Sequence, residues 1–114
     1  MSEEALVKKI VHFLDEKKGN DIRVLDLRNV SSVSDTFIIV SCTSVPHLKA
    51  LFDGLHRLLK LEDKEAVCKT GLAESGWMIL DIHGIMIHFF DADTRAYYDL
   101  ESLWKDASES KIEE

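Results

Sequence analysis

The chain has 114 residues and a formal net charge of -7, from 21 acidic against 14 basic side chains. That length holds one domain with one core, burying about two-thirds of the unfolded surface, and 46% hydrophobic residues with a single proline exclude a disordered or fibrous chain. The acidic balance argues against a protein that lives by gripping nucleic-acid phosphates, which needs a visibly basic footprint, and suits a basic protein partner.

Glu3 to Lys18 places apolar residues at Leu6, Val7, Ile10, Val11, Phe13 and Leu14, the spacing of one helix face, with Ser2 as N-cap and Gly19 as the stop. Ile22–Leu27 and Thr36–Cys42 are rich in β-branched and aromatic residues and read as strands, linked by a polar turn over Asn29–Asp35. The second of them is apolar without alternation, which predicts a strand covered on both faces. Ser44 and Pro46 open a second helix, the serine as cap and the proline in the first turn, where its missing N–H costs nothing. Leu48, Leu51, Phe52, Leu55, Leu58 and Leu59 mark its buried side.

Ala66–Thr70, Trp77–Ile82 and Ile85–Phe90 follow as strands. Only His83 and Gly84 separate the last two, so they form a tight antiparallel hairpin with Gly84 at positive φ. A final helix is expected from Thr94 to Ala107, carrying Tyr97, Tyr98, Leu100, Leu103 and Trp104, ahead of a polar tail, Ser108–Glu114, expected to fray. This order predicts an α/β sandwich, a five-stranded mixed sheet flanked by helices, in one domain over residues 1–107.

Little in the pattern points to catalysis. Cys42 and Cys68 lie in apolar, strand-like runs without a CxxC partner and read as buried hydrophobes. With no secretory signal pattern and no run of about 18 apolar residues, the expected compartment is the reducing cytoplasm, away from membranes. His12, His47, His56, His83 and His88 show no zinc-ligand spacing, and His88, in an apolar strand, reads as a core-edge histidine bonded to a neighbour such as Asp81. Asp26, Asp35 and Asp81 at strand ends offer an alternative, a magnesium and nucleotide site of a nucleotidyltransferase-like enzyme. Asp91 and Asp93 are explained as caps of the last helix, and no glycine-rich phosphate loop is present.

Binding chemistry is better represented. Both tryptophans, both tyrosines and two of the five phenylalanines fall between Trp77 and Trp104, among Asp, Glu, Arg and His. Arg95, Tyr98, Asp99 and Ser102 recur at helical intervals beside the apolar stripe Leu100, Leu103 and Trp104, and Trp, Tyr and Arg are the types enriched at interface hot spots.

Asp21 to Leu27, Ser34 to Ile39, Thr43-Ser44, Trp77 to Asp81, His88-Phe89-Phe90 and above all Tyr97-Tyr98-Asp99-Leu100-Glu101-Ser102-Leu103-Trp104, in that order, resemble the Iojap-type ribosomal silencing factors over nearly the whole chain. Cys42 stands where many members carry Gly, whereas Gly71 to Gly76 keeps the usual Gly and Glu. The resemblance implies a nucleotidyltransferase-like fold without activity, cofactor or metal. The Gly-Ser helix opening and paired carboxylates of the catalytic relatives are replaced here by Cys42-Thr43-Ser44 and by Ala66 to Thr70. It further implies docking on ribosomal protein fourteen of the large subunit, steric exclusion of the small subunit when nutrients are scarce, and a homodimer when free. Together with the helical spacing it assigns contact with the ribosomal protein or a second copy to Trp77, Asp81, His88, Phe90, Arg95, Tyr98 and Asp99, leaving Leu100, Leu103 and Trp104 to fasten the helix.

Overall fold

The structure, a computed structural model, describes residues 3–27, 35–63, 67–103 and 108–110. The cap expected at Ser2, most of the Asn29–Asp35 turn and Trp104 lie outside them.

Helix α1 (Glu3–Glu16) precedes strands β1 (Asn20–Asp26) and β2 (Thr36–Cys42), followed by helix α2 (Val45–Asp63). Strand β3 (Cys68–Leu72), a 3-10 turn (Ala73–Ser75), β4 (Trp77–Ile82) and β5 (Ile85–Asp91) come next, then α3 (Ala92–Tyr98), α4 (Leu100–Leu103) and β6 (Ser108–Ser110). The sheet order is β3-β4-β5-β2-β1-β6. Among the described residues only β2 and β5 pair in parallel, so the five expected strands form the mixed sheet read from the sequence. The segment expected to fray adds a sixth short strand, Ser108–Ser110, antiparallel to the outer edge of β1.

The local signals explain most of the boundaries. Ser44 Oγ accepts the His47 backbone N–H at 3.1 Å, capping α2. At the hairpin, His83 (φ 50) and Gly84 (φ 83) are both left-handed, the pair of conformations that matches strand twist in a two-residue turn. At the end of α1 it is Lys18, not Gly19, that takes the positive φ of 70. The Gly19 N–H still closes the helix on the Leu14 carbonyl at 2.8 Å.

The two faces of the sheet are covered unequally. One face carries Val24, Ile38, Val40, Leu80, Ile82, Ile85, Ile87 and Phe89 against the apolar sides of α1 and α2, forming the main core. The other carries a smaller cluster, Leu25, Leu27, Phe37, Ile39 and Phe90, with Trp77, Met86 and Leu100 packed onto it. All the apolar residues of β2 are therefore buried, as its unalternating sequence requires. The thin layer over the second face is short because the C-terminal helix is broken. Asp99 turns left-handed at φ 48, and its N–H caps α3 on the Arg95 carbonyl at 2.9 Å. Among the described residues the single helix expected from Thr94 to Ala107 is thus divided at Asp99 into α3 and α4, and its regular spacing stops at Tyr98.

Among the described residues no helix is long and apolar enough to cross a membrane.

Candidate functional site: an aromatic tier on the thin face

In an antiparallel pair, residues opposite each other share a face. The register Trp77↔Phe90 and Ile79↔His88 therefore lines these side chains up on the thin face. The Trp77 ring stacks on Phe90 at 5.0 Å between centroids and 25° between planes. Its other neighbour is Tyr98 from α3, at 4.6 Å and 45°, with Tyr97 set edge-on against Tyr98 at 5.1 Å. Below, Phe37 meets His88 at 4.5 Å. The tier runs outward from fully buried Phe90 through partly buried Trp77 to Tyr98 and Tyr97, which are 49% and 82% exposed.

His88 is where the polar chemistry of this tier resides. The Trp77 Nε1–H donates to His88 Nδ1 at 3.1 Å, so the neighbour inferred from sequence, Asp81, is replaced by an indole. Asp81 lies two rungs further along the hairpin, opposite Met86. Burial pushes the His88 pKa down to about 4, which keeps the ring neutral near pH 7 and able to accept from Trp77. Its Nε2 is buried without a hydrogen-bond partner among the described residues.

The seven residues assigned from sequence separate into two groups. Trp77, Tyr98 and Asp99 reach the surface beside one another, and Asp81, also at the surface, stands four residues along β4, about 13 Å away. His88, Phe90 and Arg95 are buried. They hold the tier from beneath, His88 as the core-edge histidine read from the sequence, and present no contact surface in the monomer. Arg95 is 7% exposed; its Nη1 donates to the Asp21 carbonyl and to Ser41 Oγ, both at 2.8 Å, and Nη2 lies 3.6 Å from the Asp21 carboxylate. A guanidinium on α3 thereby fastens the helix to β1 and β2, with its charge satisfied by a carbonyl, a hydroxyl and a carboxylate.

Two exposed hydrophobes extend the patch: Tyr97, read from the sequence only as part of a helix, and Leu72, opposite Trp77 at the last rung of edge strand β3. The signal for Leu72 was weak, since its Gly-Leu-Ala setting reads as a loop. A depression of about 260 Å³ opens between Thr70, Gly71, Ser75, Trp77, Ile79 and Tyr98.

Gly76 ties β4 to α3. It is left-handed at φ 81, and a Cβ there would lie 2.3 Å from Asp91 Oδ2 and 2.5 Å from Thr94 Oγ1. Asp91 is the N-cap of α3, accepting the Thr94 N–H at 2.8 Å, as its sequence position suggested. Gly76→Ala should therefore strain the backbone and displace the cap, destabilising the fold by roughly 2–3 kcal/mol. A thermal melt should show a loss on the order of 10 °C; a melting temperature within the error of the wild type would contradict this reading of the turn.

The other chemistry suggested by sequence is not assembled. Asp26 shares its row with Thr36, Ile85 and Ile82, and Asp81 with Met86, Phe37 and Leu25. Adjacent rows face opposite ways, so the two carboxylates lie on opposite faces, three strands apart, about 14 Å. Among the described residues no group of three His, Cys, Asp or Glu side chains converges on a metal position. Cys42 is buried, its thiol pushed up to about 12 by burial and then by Asp91. Cys68 is exposed, contrary to its sequence reading, because β3 is an edge strand with every residue at the surface.

The sequence matches the family described as "Ribosomal silencing factor during starvation" across residues 1–114. It is 34% identical over 100 residues to the ribosomal silencing factor of Haemophilus influenzae, covering 88% of this chain and 98% of that one. It is 30% identical over 101 residues to a mouse protein named for mitochondrial assembly of the ribosomal large subunit, covering 86% of this chain and 44% of the mouse protein. A crystal structure of a Chromobacterium violaceum protein superposes with a TM-score of 0.84 at 27% identity, over 100% of this chain and 92% of the other. A sequence match over the full length and a superposition at a TM-score of 0.84 agree, and the chain belongs to the ribosomal silencing factor family.

Proposed function

We propose that this chain binds the large ribosomal subunit at ribosomal protein fourteen and keeps the small subunit from joining. In doing so it represses translation when nutrients are limiting. The observation that carries this reading is the aromatic tier: Trp77 braced by Phe90 and His88, with Tyr98, Tyr97 and Leu72 presented above a rigid sheet. Exposed tyrosine and tryptophan over a fixed support supply hot-spot contacts at low entropic cost. The mouse relative's name, which refers to the large subunit, supports the choice of subunit.

A body with net charge -7 is steered toward a basic ribosomal protein, since complementary charge raises association rate and selectivity. The action needs no catalysis, cofactor or metal, because a bound domain excludes the small subunit by volume. It takes place in the cytoplasm. Asp81 and Asp99 contribute negative charge at the rim of the contact. When free, two copies pair through the same aromatic surface, so ribosome docking and dimerisation compete. Cosedimentation with isolated large subunits tests the proposal: the chain should pellet with them, and added ribosomal protein fourteen should release it. Failure to pellet at micromolar concentrations would refute it.

A further inference from the structure

We propose that the groove between α1 and α2, on the face of the molecule away from the aromatic tier, is a second docking surface that accepts an acidic amphipathic helix. The two helices run antiparallel. Lys9 Nζ meets the Glu62 carboxylate at one end, and His47 Nε2 lies 3.1 Å from the Lys17 carbonyl at the other. Midway, the Phe13 ring covers Gly54, so closely that a Cβ on Gly54 would sit 2.7 Å from Phe13 Cζ.

Helix α2 has more apolar surface than the core uses. Its buried stripe is Leu48, Leu51, Phe52, Leu55 and Leu59. A second stripe at steps of three and four, Ala50, Gly54, Leu58 and Leu61, faces the groove with Phe13. Leu61 is 84% exposed. The groove measures about 820 Å³, and the side of α2 from His47 to Leu61 that lines it is about 21 Å long, four helical turns. Ala50, small and exposed, leaves room on its floor, and ridges on a partner helix fit between its larger side chains. An amphipathic helix laid on such a groove is a recurring recognition mode.

Charge selects the occupant. In a chain of net charge -7, the charged side chains lining this groove are Lys17, Arg57 and Lys60, with no Asp or Glu among the described lining residues. Lys17 lies at the end where α2 begins, while Arg57 and Lys60 lie in its later turns. A fatty-acid-like anion has a single charged head and meets only one of these ends. A second copy related by a twofold axis would bring the same cations face to face. A helix with Leu on one side and carboxylates along its flanks meets both ends and the floor at once.

The test uses two labelled synthetic peptides of about 18 residues, five turns, with identical leucine faces, one with Glu and one with Lys at the flanking positions. Fluorescence anisotropy with the full chain should show saturable binding of the Glu peptide and at least tenfold weaker binding of the Lys peptide. The double variant Lys60→Glu, Leu61→Glu, both at exposed positions, should lose the Glu peptide at least tenfold and still cosediment with large subunits. Equal binding of the two peptides, or undiminished binding by the variant, would overturn the proposal. So would self-association of the wild type that the double variant abolishes, since the occupant would then be a second copy. Full displacement of the peptide by sodium laurate at concentrations below its micelle point would assign the groove to a single-headed anion instead.

Discussion

Tyr98→Ala is expected to weaken binding to the large subunit by about 30- to 800-fold, the loss of about 2–4 kcal/mol that follows truncation of an interface hot spot, and to leave the melting temperature within a few degrees of the wild type. The ring is half exposed, its partners are Trp77 and Tyr97, and it fills no part of the core. Stability and binding therefore separate at this residue. They do not separate at Trp77 or Phe90. Trp77 stacks on Phe90 and holds His88, so Trp77→Ala removes core packing as well as contact surface. Phe90→Ala, at a fully buried position, should cost about 3–5 kcal/mol of stability. Cosedimentation and thermal melts on the same three variants check this. If Tyr98→Ala binds as tightly as the wild type, the contact lies elsewhere.

Acid should unfold this protein through His88. Its folded pKa is about 4 against an ordinary 6.5, lowered by burial, so as pH falls the unfolded chain takes up the proton first. The stability contributed by the neutral ring is complete above about pH 6.5 and is lost progressively down to about pH 4. The loss is about 2 kcal/mol at pH 5 and about 3 kcal/mol at pH 4. His88→Gln keeps an acceptor for the Trp77 indole N–H and does not titrate. Urea unfolding at pH 7 and pH 5 should show the wild type losing about 2 kcal/mol more than this variant, a difference from which the carboxylates common to both cancel. Equal losses would mean that His88 is not titrating from a buried neutral state. In the folded chain the ring itself protonates only near pH 4, which removes the acceptor on which the Trp77 ring is oriented, so docking through the aromatic tier should weaken only as the pH approaches 4.

The elements with strong periodicity were legible because their causes are local. The stripe of α2, the Ser44 cap, the His83-Gly84 hairpin and the unalternating β2 are each written within a few residues of where they act. The tier's membership was half legible for the same reason. Aromatic residues on neighbouring strands were visible, but which of them faced outward depended on what the thin face packs against. Arg95 shows why. Helical spacing put it with Tyr98 on an exposed side, yet its partners Asp21 and Ser41 lie 74 and 54 residues away in sequence, and only the fold brings them together.

The break at Asp99 left no strong mark either, since aspartate tolerates the left-handed region without needing a glycine. His88 was placed correctly in a strand but given the wrong partner, because both Asp81 and Trp77 share its face and the register decides between them. Cys68 was misread because edge position is a property of the sheet and not of the strand. Ser108–Ser110 has no apolar pattern; it is a strand only because β1 offers an unpaired edge.

The most direct measurement is light scattering of purified large and small ribosomal subunits as they associate, with the chain added beforehand at rising concentration. Steric exclusion predicts that the joined fraction falls in step with occupancy of the large subunit, and that Tyr98→Ala restores joining at the same concentration. Normal joining at concentrations that saturate the large subunit would contradict it.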